Sequence, residues 1–239
     1  MADHIYGKLE SVKFSGRRDK YNKSLKALEA LDIPFEDLLH HYPAYVGDLT
    51  LSRFLTLYEL YKMTENISGH IAEAGVFKGA GSIYFAKLVK LFESNSLTMV
   101  HGFDWFEGND PRENDSDNII KGGYKASFDE VVELVKIQGL DHILKIHKVD
   151  LVNDLELFFN DNKHLRFKLV FLDAGLYDVV SSCIKQFYDR MTTGGIMVFD
   201  QYNHELSPGE TMAVDENLKH IKIRTLPNAW MPNAYIIKE

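Results

Sequence analysis

HIAEAGVFKGAGS, residues 70–82, decides the fold. It begins as a short apolar run interrupted by one carboxylate, Glu73. It then passes through Gly75, Gly79 and Gly81 into the apolar-periodic stretch 80–92. That order reads as a buried strand, a glycine-rich turn and a helix. The glycines let backbone pass close to a ligand, and the helix end offers unpaired N–H groups.

Outward from this stretch the same alternation recurs. Strand-like runs lie at 97–104, 143–149, 167–173 and 196–200, with helical stretches at about 124–138, 151–160 and 177–191. Strands separated by helices form βαβ units, and their right-handed crossovers give a mainly parallel sheet with helices on both faces. The near-continuous apolar run LVFLD, residues 169–173, suits a sheet buried on both sides. Ser207, Pro208 and Glu210 read as a capping box with proline at the first helical position. Beyond it, 222–226 and 234–238 flank a Pro/Asn/Trp/Pro connection and suit a terminal antiparallel hairpin. The expectation is a Rossmann-like, doubly wound α/β sheet of seven strands, with its ligand crevice at the carboxyl ends of the strands.

Residues 1–66 read as helical. Tyr21, Leu25, Leu28 and Leu31 recur at helical spacing, as do Phe54, Leu57, Tyr58 and Tyr61. They are read as a helical extension or lid on a single domain formed by 67–239. With 239 residues, 45% apolar and 26% charged, the chain has enough core for one such domain. The balance of 27 Lys+Arg against 35 Asp+Glu, net −8, argues against nucleic acid as the main partner. Cys183 is the only cysteine, so no intrachain disulfide or thiolate metal cluster forms, and its mid-helix setting reads as inert packing. No apolar run approaches the roughly 20 residues that span a bilayer. The first seven residues lack the apolar core of a signal peptide. No membrane association and a cytoplasmic location are therefore expected. The oligomeric state stays open, a homo-oligomer included.

Glu73 separates two ligand classes. Beside a dinucleotide's pyrophosphate it would repel; near the ammonium and sulfonium of S-adenosylmethionine it attracts. The dinucleotide fingerprint G-x-G-x-x-G is also missing, since the chain has E-x-G-x-x-x-G-x-G. The donor-binding set read here is Glu73, Gly75, Phe77, Gly79 and Ser82 in this turn, with Asp104, Trp105, Asp150 and Asp173 from later strand ends. Asp104 closes the second strand and is placed to accept both ribose hydroxyls. Trp105 either covers the adenine or packs in the core. Asp150 either bonds the adenine amino group or caps the helix after it.

Asp173 and Asp200 end neighbouring strands and would point into one crevice. Two such carboxylates repel unless a cation or a shared proton relieves them. Mg²⁺ at Asp173 and Asp200 would do so and would also orient a substrate hydroxyl. The rival reading makes them turn carboxylates. His204, in the loop after Asp200, is a candidate general base beside Asp173; the plain reading is a solvated histidine. His101 reads as a hydrogen-bonded interior residue. The acid-rich loop 107–117 reads as a solvated surface loop, with a lid over the donor as the sharper alternative. Lys13, Arg17, Arg18, Lys20, Lys23 and Lys26 read as a solvated helix face, or as an arm closing on an anionic acceptor such as a nucleotide-linked sugar.

At these residues the sequence resembles class I methyltransferases, and more narrowly the macrocin O-methyltransferase type that modifies sugars. The resemblance runs from about His41 to Glu216 and rests on HIAEAGVFKGAGS, HGFDWFEG, LVFLDAGLYDVVSSCIKQFYDRMTTGGIMVFDQY and PGETMAVDE. It implies a donor site of Glu73, Gly75, Asp104 and Asp150, magnesium near Asp173 and Asp200, and a sugar acceptor. The chain departs from the type at Gln201, where relatives tend to carry a second Asp, and at Ala174-Gly175, where they tend to carry another. Gln201 keeps a carbonyl oxygen but loses a charge, so weakened metal affinity is expected. Two other classes compete with methyl transfer. One is a nicotinamide-dependent oxidoreductase, disfavoured by Glu73; the other is a non-catalytic binding module that retains the fold.

Overall fold

The structure is a computed structural model that describes residue 13 and residues 15–227 and 230–239. The seven residues read for a signal peptide lie outside the described residues. Among the described residues four helices come first: α1 (Arg17–Glu29), α2 (Phe35–His40), α3 (Tyr42–Tyr45) and α4 (Asp48–Lys62). The alternating region follows as β1 (His70–Ala74), α5 (Ala80–Phe92), β2 (Val100–Asp104), α6 (Phe128–Ile137), β3 (Leu144–Lys148), α7 (Leu155–Asp161), β4 (Phe167–Leu172), α8 (Tyr177–Tyr188) and β5 (Met191–Phe199). The order closes with α9 (Pro208–Asn217) and β6 (Ala234–Ile237).

The six strands lie in the order β3-β2-β1-β4-β5-β6, all parallel except β6, which runs antiparallel to β5. The chain winds outward from β1 through β2 to β3, then returns to place β4 on the other side of β1. The connections after β1 and β4 therefore diverge, and that divergence opens a crevice above their carboxyl ends.

Period-2 alternation divides each strand between two cores. Ala72, Ala74, Phe103, Val170, Leu172 and Phe199 face α7, α8 and α9, packing on Phe159, Val180, Phe187 and Val214. Ile71, Val100, Leu169, Phe171 and Val198 face α4, α5 and α6, packing on Leu57, Leu60, Phe85 and Val135. Every residue of β4 is buried, and each apolar side chain withdrawn in this way contributes roughly 1.5–3 kcal/mol. Cys183 is 1% exposed within the first core, and burial alone pushes its thiol above its ordinary range.

Two expectations are corrected. The sheet has six strands, not seven, because 222–226 forms only a single bridge, Arg224 to Tyr235. One residue on, Thr225 bonds the Asn233 carbonyl with its hydroxyl rather than its amide (2.7 Å), and Pro227 has no N–H to extend a ladder. The second correction is the capping box. Ser207 is the N-cap of α9 but makes no side-chain cap bond. Its hydroxyl instead donates to the Gly175 carbonyl at 2.8 Å, and Glu210 accepts the Gln201 N–H at 2.6 Å. Both side chains satisfy backbone in the loops after β4 and β5.

His101 on β2 is an interior residue. Its ring stacks on His147 of β3 at 5.3 Å and 5°, with Nδ1 and the partner Nε2 3.0 Å apart, and His70 stands edge-on at 5.2 Å. Burial pushes His101 down to about 3 and His147 to about 4. The folded values lie below the unfolded one, so the stability held by the neutral rings is complete above about pH 6.5. It is lost as pH falls toward 4 and below. The expected cost by pH 4 is on the order of 3 kcal/mol for each ring, read as a falling urea midpoint. A His101→Phe chain should lose much of that slope; an unchanged slope would show that other groups set it.

Among the described residues no helix is long and apolar enough to cross a membrane.

Candidate active site

The glycine-rich turn after β1 is built around Glu73. The side chain is 1% exposed, and its carboxylate accepts a hydrogen bond from the Ser82 hydroxyl on the first turn of α5. A Cβ at position 81 would lie 1.9 Å from Glu73 Oε1, so only glycine lets the helix start this close to the acid. Gly75 has φ +96°, and a Cβ there would meet the Asp173 carbonyl at 2.1 Å. Burial pushes Glu73 up to about 7, against the opposing pull of Ser82 and Arg53. An acid poised in this way ionises fully when a cation arrives.

Asp104, at the end of β2, faces the same turn. It accepts the Phe77 N–H at 2.9 Å and the Phe106 N–H at 2.7 Å, which holds Phe77 at φ +51°. Burial raises its carboxyl above the usual range despite these donors. The Trp105 indole N–H donates to the Gly108 carbonyl at 2.7 Å, fixing a half-buried ring. Asp150 closes a turn: it accepts the backbone N–H groups of Val152 (2.9 Å) and Asn153 (3.1 Å) and the Asn153 side chain (2.7 Å). It does not cap α7, whose N-cap is Asp154.

Asp173 and Asp200, at the ends of β4 and β5, are joined by a side chain the sequence reading did not identify. Arg53 of α4 places Nη2 2.6 Å from Asp173 Oδ2 and Nη1 2.5 Å from Asp200 Oδ1. Its guanidinium lies over the Phe171 ring at 5.4 Å. Burial works against the charged guanidinium, but Asp200 and Asp173 outweigh it and raise its pKa. Asp173 is the more open acid, its side chain 28% exposed against 4% for Asp200. Its carboxyl sits well above the ordinary range through burial first and then the adjacent Asp200, only partly offset by Arg53.

His204 also reaches this end, with burial lowering its pKa. Its Nδ1 accepts the Leu206 N–H at 3.2 Å. The neutral ring therefore carries its proton on Nε2, an atom buried without a hydrogen-bond partner among the described residues, which does not suit it to removing a proton. Glu210 is fully buried and raised well above its usual range, by burial and then by Asp200. It was read only as a capping residue.

All these strand ends open into one cavity of about 570 Å³. Glu73, Gly75, Phe77, Asp104, Trp105, Asp150, Asp173, Asp200 and His204 line it; Gly79 and Ser82 stand behind the wall. The acid-rich loop forms a further wall. Asn109, Asp110, Arg112 and Asp115 face the cavity, Arg112 pairs with Asp178 at 2.8 Å, and Asp115 accepts the Tyr177 N–H at the start of α8 at 2.8 Å. Of the basic residues near the N-terminus, Lys13, Arg17, Lys20, Lys23 and Lys26 are exposed and none lines the cavity.

The residues at Asp173 and Asp200 do not fit a divalent ion as they are arranged. Both carboxylates already hold a guanidinium, the neighbouring position is the neutral Gln201, and an ion beside Arg53 would meet a like charge. Among the described residues no group of three or more acids, histidines or cysteines is disposed to ligate a metal.

The sequence matches the family described as Macrocin-O-methyltransferase (TylF) over residues 41–225. No curated protein sequence matches. Among solved structures the chain is similar to CalS11, a calicheamicin methyltransferase, at TM-score 0.82 and 21% identity over 97% of this chain and 95% of that one. It is also similar to the apo form of CalS11, described as a TDP-rhamnose 3'-O-methyltransferase, at TM-score 0.75 and 24% identity over 97% of each chain. The O-methyltransferase NovP matches at TM-score 0.58 and 18% identity over 76% of this chain and 78% of that one. At these identities the likeness is one of fold.

Proposed function

The chain belongs to the macrocin O-methyltransferase (TylF) family, and on that premise we propose that it transfers a methyl group from S-adenosylmethionine to a sugar hydroxyl. The acceptor class is a sugar, a nucleotide-linked one included, in keeping with CalS11, described as a TDP-rhamnose 3'-O-methyltransferase. The observation that carries this reading is the convergence of Glu73 and Asp104 on one cavity that also holds Asp173 and Asp200.

When bound, the donor supplies an electrophilic methyl on a positively charged sulfur. Glu73 attracts the donor's ammonium, Asp104 accepts from the ribose hydroxyls, and Trp105 and Asp150 border the adenine. Asp173, the more open acid, receives the hydroxyl proton as the oxygen attacks in line, while Asp200 helps to hold the acceptor in place and His204 lines the same wall. Holding the reacting atoms about 3 Å apart supplies much of the acceleration. Because Arg53 comes from α4, that helix serves as a cover over one side of the site.

Glu73 gives this site a pH dependence. Its empty-site value of about 7 lies above that of the complex, in which a cation stabilises the carboxylate. S-adenosylhomocysteine affinity is expected to be flat above pH 7.5 and to fall as pH drops below 7, by up to about 10-fold per pH unit. Calorimetry should show proton release on binding near pH 6.5. A flat profile from pH 5.5 to 8 would remove Glu73 from the ammonium site.

The assay that tests the proposal follows methyl label from S-adenosylmethionine into nucleoside-diphosphate deoxyhexoses and the corresponding free glycosides. A labelled sugar is the expected product. Donor binding with no transfer to any hydroxylated acceptor would favour a non-catalytic module.

A further inference from the structure

The pair Asp173 and Asp200 has a cation of its own, and it belongs to the polypeptide. We propose that Arg53 is the resident counter-ion of the acceptor site, so that this chain positions its acceptor without a divalent metal. The inference rests on the methyl-transfer reading for what the acids do, but not for what neutralises them.

Three observations point the same way. A single planar guanidinium spans both acids, one nitrogen to each, at 2.6 and 2.5 Å, a geometry that a lysine's point charge cannot reproduce. The guanidinium also lies over Phe171 of β4, and the helix that carries it is docked by Leu57, Leu60 and Tyr61, all at most 2% exposed. Arg53 is thus anchored from behind, on its ring face and at both charged ends. The groups around the pair offer a divalent ion little further charge, the exception being Glu210 Oε2, which is buried without a hydrogen-bond partner among the described residues. Gln201 brings no charge; its Oε1 lies 2.6 Å from where a Cβ on Gly175 would sit, so the amide turns toward that glycine. Glu210 Oε1 holds the Gln201 N–H, and His204 Nδ1 holds the Leu206 N–H. An ion would have to displace a bidentate charged pair and then accept few protein oxygens in its place.

The test is a Mn²⁺ titration of the purified full chain followed by electron paramagnetic resonance, with circular dichroism confirming the fold of each variant. Wild type is expected to show no site tighter than the millimolar range. Arg53→Met, which bares both carboxylates, is expected to bind Mn²⁺ at least 10-fold more tightly, and adding Asp200→Asn to that variant should abolish the gain. Arg53→Gln serves as the second variant if Arg53→Met does not fold. Micromolar Mn²⁺ binding by wild type, lost in Asp200→Asn, would overturn the proposal. So would an Arg53 variant that binds no better than wild type. S-adenosylhomocysteine calorimetry on the same samples keeps the two claims apart: its failure in wild type would sink the methyltransferase reading and leave the counter-ion result standing.

Discussion

Asp104→Ala is expected to weaken S-adenosylhomocysteine binding by about 100-fold, or roughly 2.7 kcal/mol, while leaving the chain folded. Two losses add up. The carboxylate no longer accepts from the ribose, and hydrogen bonds to a charged acceptor are worth about 1.5–3 kcal/mol each. The Phe77 and Phe106 N–H groups also lose their partner, and Phe77 sits in a left-handed conformation that a phenylalanine does not hold unaided. The glycine-rich turn is then no longer shaped in advance for the donor. Asp104→Asn keeps one carbonyl oxygen and should fall between the two, near 10-fold. Calorimetry reads both; a change under threefold in Asp104→Ala would place the ribose elsewhere.

The largest stability effect is expected at Glu93→Leu. Lys168 lies in the middle of the sheet, 1% exposed, with its ammonium 2.7 and 2.8 Å from the two Glu93 oxygens. Glu93 also accepts from the Tyr61 hydroxyl at 2.8 Å and from Thr98 at 2.7 Å. Burial works against the Glu93 carboxylate, but Lys168 and the two hydroxyls hold it below the ordinary range. Removing it strands a buried ammonium, at a cost of about 3–5 kcal/mol. For a chain of this size that is a fall in melting temperature of about 10 °C or more. The double variant Glu93→Leu with Lys168→Met should recover most of the loss, because the unpaired charge goes as well. No recovery would mean that the ion pair is not the source. The network joins α4 to β4, so the single variant should also loosen Arg53 and depress turnover beyond its effect on stability.

The sheet was legible because buried strands and amphipathic helices differ in period, and each βαβ unit repeats the contrast. Five strands emerged in that way, with ends shifted by a few residues. The strand-end acids Glu73, Asp104, Asp173 and Asp200 were legible for a related reason: in a parallel sheet all carboxyl ends open on the same rim. Arg53 was not legible. It belongs to a helix outside the βαβ units, whose docking position has no periodic signature, and its neighbours Phe54, Leu57, Tyr58 and Tyr61 read simply as helical spacing. The one available signal was a lone cation inside that apolar run. Ser207 and Glu210 misled because their spacing suits a capping box; the backbone groups of Gly175 and Gln201 competed for the same side chains and won. The segment 222–226 has strand-like composition, but pairing needs consecutive backbone donors, and its neighbour Pro227 has none.

The central claim is that acids at the ends of the first two strands hold S-adenosylmethionine, and a crystal structure of the chain soaked with S-adenosylhomocysteine tests it most directly. The ammonium is expected beside Glu73, the ribose hydroxyls on the Asp104 carboxylate and the adenine between Trp105 and Asp150. A ligand bound elsewhere, or one whose ribose and ammonium leave both acids untouched, would contradict it.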